Sequence, residues 1–404
     1  MLLLCSIAMT VSAKSRIWDP NVKGLTVVVN KDWLSPAVMK LGAGDMLNVG
    51  FDELSHTYHR YIYRLEHCEA DWTPSSDLFQ SDWLEGFNDN PIEDYENSLN
   101  TTVLYTHYKL RIPNERCRLK MSGNYRLKVY DEEDMESEVL QVEFRVVEPL
   151  MNVGLSVTTN TDIDFNQSHQ QVSMTVNYGA LKLNNEDTQL YTVVMQNGRE
   201  DTQRVNVKPD LTQVGKLQWE HNRGLIFDAG NEYHKFEVLE VSHPTLGIDR
   251  MWWDGEYYNA YPFANNPRRS YVYDLDADGA FIIRNSDNSE VDRTCDYVWV
   301  NYKILPCERY DMQVMVDGQW ATESDETYVM YYDEKDQSYN ARILQKQGYY
   351  SYQYVLRDKD GTTHVMPEEG SFFETENRYQ AYVYYKGIND RTWRLTGYQQ
   401  VVLK

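Results

Sequence analysis

The chain has 404 residues, 13% of them aromatic and 32 of them tyrosine, and a formal net charge of −23. That length suits two to four domains, and such a ring-rich composition suits pleated, half-buried surfaces. The charge repels phosphate backbones and anionic headgroups, which excludes nucleic acid as a partner; it would attract a basic surface, or simply keep a large β protein soluble and monomeric.

The first thirteen residues, MLLLCSIAMTVSA, are apolar and end in Val11-Ser12-Ala13. They read as a signal peptide, residues 1–13, with its basic start missing. Leu3 and Leu4 before Cys5 argue against a lipid attachment site. No later run is apolar for the length a membrane helix needs, so no direct membrane span is expected. Cleavage leaves Cys68, Cys117, Cys295 and Cys307. Export permits disulfides, and their grouping suggests Cys68 with Cys117 and Cys295 with Cys307. Buried free thiols are the competing reading, and spacing alone does not choose between them.

Strands are expected at 25–29, 46–51 and 58–65, the last with Tyr61, Tyr63 and Leu65 on one face by a period of two. A long aromatic connection from Asp71 to Glu96 follows, carrying Trp72, Phe79, Trp83 and Phe87. Connections of that length in compact domains tend to be functional. Strands resume at 103–111, 124–130 and 139–147, which closes a first antiparallel sandwich over 14–148. Glu148-Pro149 marks a boundary, because proline cannot extend the ladder. A second sandwich is expected over 149–293, with strands at 152–158, 171–177, 190–196, 203–207, 233–241 and 269–273. Its Asn197-Gly198 pair is a hairpin-turn signal. A third, over 294–404, has strands at 296–304, 312–316, 328–332, 338–345, 349–356 and 379–385. The fold class is therefore all-β, with tandem immunoglobulin-like sandwiches.

Three clusters could carry chemistry. Asp274-Leu275-Asp276-Ala277-Asp278-Gly279 has the opening of a calcium loop. Its twelfth position is Asn285 where a bidentate Glu belongs, and its flanks read as strands, so a turn is favoured over a metal site. Glu66, Glu69 and Asp71 surround His67 and Cys68, a grouping that could tune acid–base chemistry. A solvated strand end is the favoured reading, and no nucleophile elbow, zincin helix or phosphate loop occurs. Trp252, Trp253, Tyr257, Tyr258 and Tyr261 read as core packing, as interface anchors or as a sugar-stacking platform. Nothing in the chain calls for a cofactor, and no enzyme is expected.

The segment His67-Cys68-Glu69-Ala70-Asp71-Trp72-Thr73-Pro74-Ser75, with Gly86-Phe87, residues 94–98, Tyr105-Thr106-His107-Tyr108, Ser122-Gly123-Asn124-Tyr125 and residues 146–150, resembles the first domain of the type IX secretion system plug family. Residues 194–199, 230–233, 347–355 and 374–377 continue the resemblance. It implies a periplasmic, non-enzymatic subunit that closes the periplasmic mouth of a very large outer-membrane β-barrel translocon. That partner's contact residues are expected on the 72–87 connection, at Trp72, Phe79, Trp83 and Phe87, against the competing reading of a loop folded over its own sandwich. Asp317-Gly318-Gln319-Trp320, followed by Gln347-Gly348-Tyr349-Tyr350, is also similar to the early-set immunoglobulin-like modules found beside starch-active enzymes. That likeness makes periplasmic carbohydrate binding the alternative function.

Overall fold

The computed structural model describes residues 14–179, 181–306 and 308–403. The expected signal segment and Cys307 lie outside them. Strands dominate and pair mostly antiparallel, with a few single-turn helices between them. The chain is all-β, as its composition predicts.

Alternation builds the N-terminal sandwich. On Tyr61–Cys68, the side chains of Tyr61, Tyr63 and Leu65 are buried on the inner face, as a period of two requires. This strand pairs with Gly123–Asp131, which pairs in turn with Asp134–Val147. The opposing sheet runs Val22–Val29, Leu47–Glu53, Thr106–Ile112 and Asp94–Asn97. The two close over one apolar core. In its middle the Phe51 and Tyr108 rings stack at 5.3 Å, with Tyr61 edge-on to both.

The expected boundary at 293/294 does not hold. Asn377–Tyr385 pairs in continuous register with Leu190–Gln196, and Arg394–Leu403 pairs outside it. Tyr379, Ala381 and Val383 share a core with Val172, Met174 and Val176 of the opposite sheet. The middle sandwich is therefore built from 152–228 together with 377–403. The third sandwich is inserted between the two pieces: His234–Val238 pairs with Gly348–Arg357, and Phe236, Val300, Tyr302 and Tyr350 lie in its core. The pairing is decided by a core completed from the far end of the chain, and local pattern does not report that.

Smaller expectations fare differently. Asn197 and Gly198 both have positive φ and turn Leu190–Gln196 into Arg199–Val205, as the pair predicts. Residues 269–273, expected as a strand, form none and join no sheet. Pro267 precedes them, and side chains rather than a ladder hold the strap: Arg268 reaches Glu369 and the Glu232 carbonyl, and Tyr271 Oη donates to Glu232 at 2.6 Å.

Candidate functional site

The aromatic connection splits into two kinds of residue. Trp72, at φ +67°, folds inward and is 5% exposed. Its ring lies under the Arg145 guanidinium at 4.9 Å, with Arg126 at 6.0 Å. Trp83 ends the short helix Gln80–Trp83 and is 7% exposed, against Tyr125 and His67. Both rings are packed inside this chain, so the expectation that they anchor a partner is corrected: their apolar area is already out of water. Phe79 and Phe87 are instead 72% and 77% exposed. Their backbones are held: Phe79 N–H donates to Asp82 at 2.8 Å, and Phe87 N–H to the Arg116 carbonyl at 3.0 Å. Asn88 exchanges two hydrogen bonds of 2.8 Å with the Leu65 backbone. Two apolar rings thus project from a fixed loop, which lowers the ordering cost of docking.

The His67 cluster does not assemble a reaction site. His67 is buried, its Nδ1 lies 2.8 Å from Ser75 Oγ, and its Nε2 faces the Ser122 carbonyl at 3.3 Å. Burial pushes its pKa down. Among the described residues no carboxylate hydrogen-bonds the ring, as a Ser–His pair needs for nucleophilic work. Glu69 turns to the middle sandwich, accepting from Thr392 Oγ1 and the Trp393 N–H. Glu66 turns to Lys128, 3.4 Å away. Gly123 packs beneath the ring; a Cβ there would sit 2.5 Å from His67 Nε2. The cluster that carries the family resemblance therefore fixes a tight packing junction.

The three aspartates of the calcium lookalike take separate partners. Asp274 pairs with Lys235, Asp276 accepts the N–H groups of Tyr233 and Asp278, and Asp278 pairs with Arg378 at 3.3 Å. Burial pushes Asp276 up to about 8 and Asp278 up to about 6. Asp278 and Gly279 form the turn, both at positive φ, so the turn reading stands, although no strand leads into it. The thiols of Cys68, Cys117 and Cys295 are free and buried. Of the two readings left open, buried free thiols holds over a Cys68–Cys117 bridge; the Cys295–Cys307 pairing involves Cys307, which lies outside the described residues. Burial pushes Cys68 and Cys295 up to about 12, which suppresses the reactive thiolate. Trp320, in the other singled-out turn, is buried and donates Nε1–H to the Ser351 carbonyl at 3.0 Å; it packs its own sandwich.

Sequence reading missed how the three sandwiches are locked. Asp52, on the outward side of Leu47–Glu53, is buried against the inserted sandwich. It accepts from Lys346 Nζ at 2.7 Å and Tyr297 Oη at 2.6 Å, with His107 Nδ1 at 2.6 Å. Burial alone would raise the Asp52 carboxyl, but Lys346 and His107 outweigh it and hold it below the usual range. Lys346 also donates to the Asp292 carbonyl at 2.6 Å and sits 4.1 Å over the Tyr105 ring. Thr102 and Val103 add N–H bonds to Asp296. On the other side, Arg145 lies 4.3 Å over Tyr382, and the Tyr384 hydroxyl donates to Asn124, both joining the N-terminal and middle sandwiches. Between all three lies a cleft of about 420 Å³, lined by charged groups such as Glu143, Arg145, Arg199, Asp278 and Arg378 and by apolar ones such as Leu25, Trp33 and Phe281. The available signal was a charged residue, Asp52 or Lys346, at the end of an otherwise core-forming strand.

Residues 22–148 match the family model of the type 9 secretion system plug protein 1st domain. The chain belongs to the type 9 secretion system plug protein family. The matched segment of this plug-family chain is the N-terminal sandwich just described. A crystal structure of a hypothetical protein from Parabacteroides merdae is 34% identical over 97% of this chain and 100% of that one, with a TM-score of 0.93. A partial N-terminal region of an enterococcal surface protein aligns at 7% identity over 97% of this chain and 95% of that one, with a TM-score of 0.19, and carries no argument. No curated protein matches. Among the described residues, no helix is long and apolar enough to cross a membrane. The family ties the chain to type IX secretion.

Proposed function

We propose that this chain is a non-enzymatic plug that seals the periplasmic opening of the large outer-membrane β-barrel translocon of the type IX secretion system, bound there as a monomer from the periplasm. The match over residues 22–148 carries this reading. The architecture supports it physically. A channel wide enough for folded proteins leaks unless a body of comparable stiffness closes it, and three sandwiches joined through buried charged and aromatic contacts make such a body. Phe79 and Phe87 supply apolar anchors on the surface of the family-defining domain, in the size class that dominates interface energetics. Asp77 and Glu85, exposed and within two residues of the rings in sequence, suit a rim with basic groups.

The test is gentle recovery of the tagged chain from detergent-solubilised envelopes. A very large barrel protein should come with it, and a Phe79→Ser/Phe87→Ser variant should recover much less while melting at the same temperature. Failure to recover any such barrel would overturn the assignment. Deleting the protein should let large antibiotics enter or periplasmic content escape; unchanged permeability would count against sealing.

A further inference from the structure

One wall of the cleft between the three sandwiches is an open strand edge. Val22–Val29 pairs with Leu47–Glu53 on one side, and among the described residues no strand pairs with it on the other. The Asn30 N–H bonds the Met46 carbonyl. Antiparallel alternation therefore turns the backbone groups of Val28 and Thr26 toward Leu47–Glu53 and those of Val27 away from it. Leu25, Thr26, Val27 and Val28 line the cleft. Toward Val22 the inserted sandwich covers the edge, where Lys23 pairs with Glu323. Past Val28 the chain turns back, with the Asp32 N–H on the Val29 carbonyl. The open stretch from Leu25 to Val28 spans about 13 Å, at the usual rise of a strand.

Open edges are ordinarily blunted by charge or proline, because they template pairing with another chain. Leu25-Thr26-Val27-Val28 carries neither and is made of strand formers. It stands inside a cleft, where only a narrow segment can reach it. Another part of the lining is the start of a second edge strand, Arg199–Val205, through Arg199, Glu200 and Asp201. Trp33 and Phe281 add apolar surface. We propose that this cleft takes up an extended peptide segment of a partner protein, which adds to the Leu25–Val28 edge as a strand and carries a basic side chain.

The backbone selects the class of occupant. Donors and acceptors at strand spacing are matched by another peptide backbone, whose alternate side chains then fall to opposite sides. The charges select the side chain. Arg199 pairs with Asp201, and Arg378 with Asp278. Arg145 lies against the Trp72 and Tyr382 rings. Two lining carboxylates keep capacity to accept. Glu143 Oε1 takes Arg126 Nε at 2.9 Å, while its Oε2 has no hydrogen-bond partner among the described residues. Asp317, 30% exposed, accepts from Gln353 at 3.1 Å, with Lys14 4.0 Å away. A lysine or arginine on the incoming strand supplies the charged donor that such carboxylates favour. The net charge of −23 steers basic segments toward the chain and repels nucleic acid.

The test is selection of a random heptapeptide phage library on the full chain, followed by calorimetric titration of the enriched peptides in synthetic form. Enriched sequences should alternate apolar residues and hold a lysine or arginine. Methylating their alternate backbone nitrogens should abolish binding, because side chains stay and strand pairing goes. Val27→Pro removes the outward N–H at an edge position that tolerates proline; it should weaken binding by about two- to tenfold, the worth of a hydrogen bond, at an unchanged melting temperature. Asp317→Asn should shrink the preference for lysine over glutamine in the peptide. If Val27→Pro folds poorly, the methylated peptides decide on the unaltered chain. Enrichment of no peptide, or of peptides that bind equally when methylated, overturns the proposal. So does a dimer of the full chain in sedimentation that Val27→Pro dissolves, which would make a second copy the occupant. The plug assignment fails separately, when the wild type recovers no barrel.

Discussion

Replacing Lys346 by Met tests the lock between the N-terminal and inserted sandwiches. Methionine keeps the apolar stem and removes only the charged head. The head's bonds to Asp52 and the Asp292 carbonyl and its contact with the Tyr105 ring all go. Asp52 stays buried with Tyr297 and His107 as its remaining partners. Removing one partner of a buried ion pair costs about 3–5 kcal/mol, because the stranded charge keeps its desolvation penalty. The pH dependence has a definite sign. In the wild type the Asp52 pKa is lowered, so its contribution is present above the ordinary carboxylate range and lost only as pH falls below it. Without Lys346, burial dominates and the carboxyl rises, so acidification neutralises the stranded charge. The deficit of the variant relative to wild type should therefore shrink between about pH 8 and about pH 5. Urea unfolding at both pH values measures it, and an Asp52→Asn/Lys346→Met double variant should regain part of the loss through coupling. An unchanged unfolding midpoint, or a deficit equal at both pH values with no coupling, would refute the electrostatic account of the lock.

Other outcomes follow from the same structure. Asp276, raised to about 8 by burial, contributes stability that is full below its unfolded pKa and fades as pH rises through the folded value; Asp276→Asn should flatten the fall in melting temperature between about pH 5 and about pH 9. Gly123→Ala places a Cβ against His67 and should lower stability by about 1–3 kcal/mol, the range for overpacking; His67→Ala in the same chain should relieve part of that loss in a double-mutant cycle. Mass spectrometry after alkylation should find Cys68, Cys117 and Cys295 labelled only once denaturant is added.

What the sequence revealed follows from the range of the interactions involved. The alternation of Tyr61, Tyr63 and Leu65 and the Asn197-Gly198 turn are local, so period and φ preference suffice to place them. Pairing of Leu190–Gln196 with Asn377–Tyr385 spans the whole inserted sandwich, and neither segment carries a mark naming the other. The 72–87 connection has rings but no period, so nothing local distinguishes Trp72, which meets Arg145 from a distant strand, from Phe79, which meets solvent. Asp52 and Lys346 were each legible as a charge ending a core strand; that they meet is a property of how two sandwiches dock.

The insertion has a consequence for the order in which the molecule is made. A chain synthesised from its N-terminus exposes Leu190–Gln196 long before Asn377–Tyr385 exists to cover it. The N-terminal and inserted sandwiches have all their own strands by then and can close. The middle one must wait, with an open edge of Tyr191, Val193 and Val194, until the last strand emerges. Truncation a few strands from the end would therefore leave a half-built middle sandwich between two finished ones, with its apolar face free to find other chains.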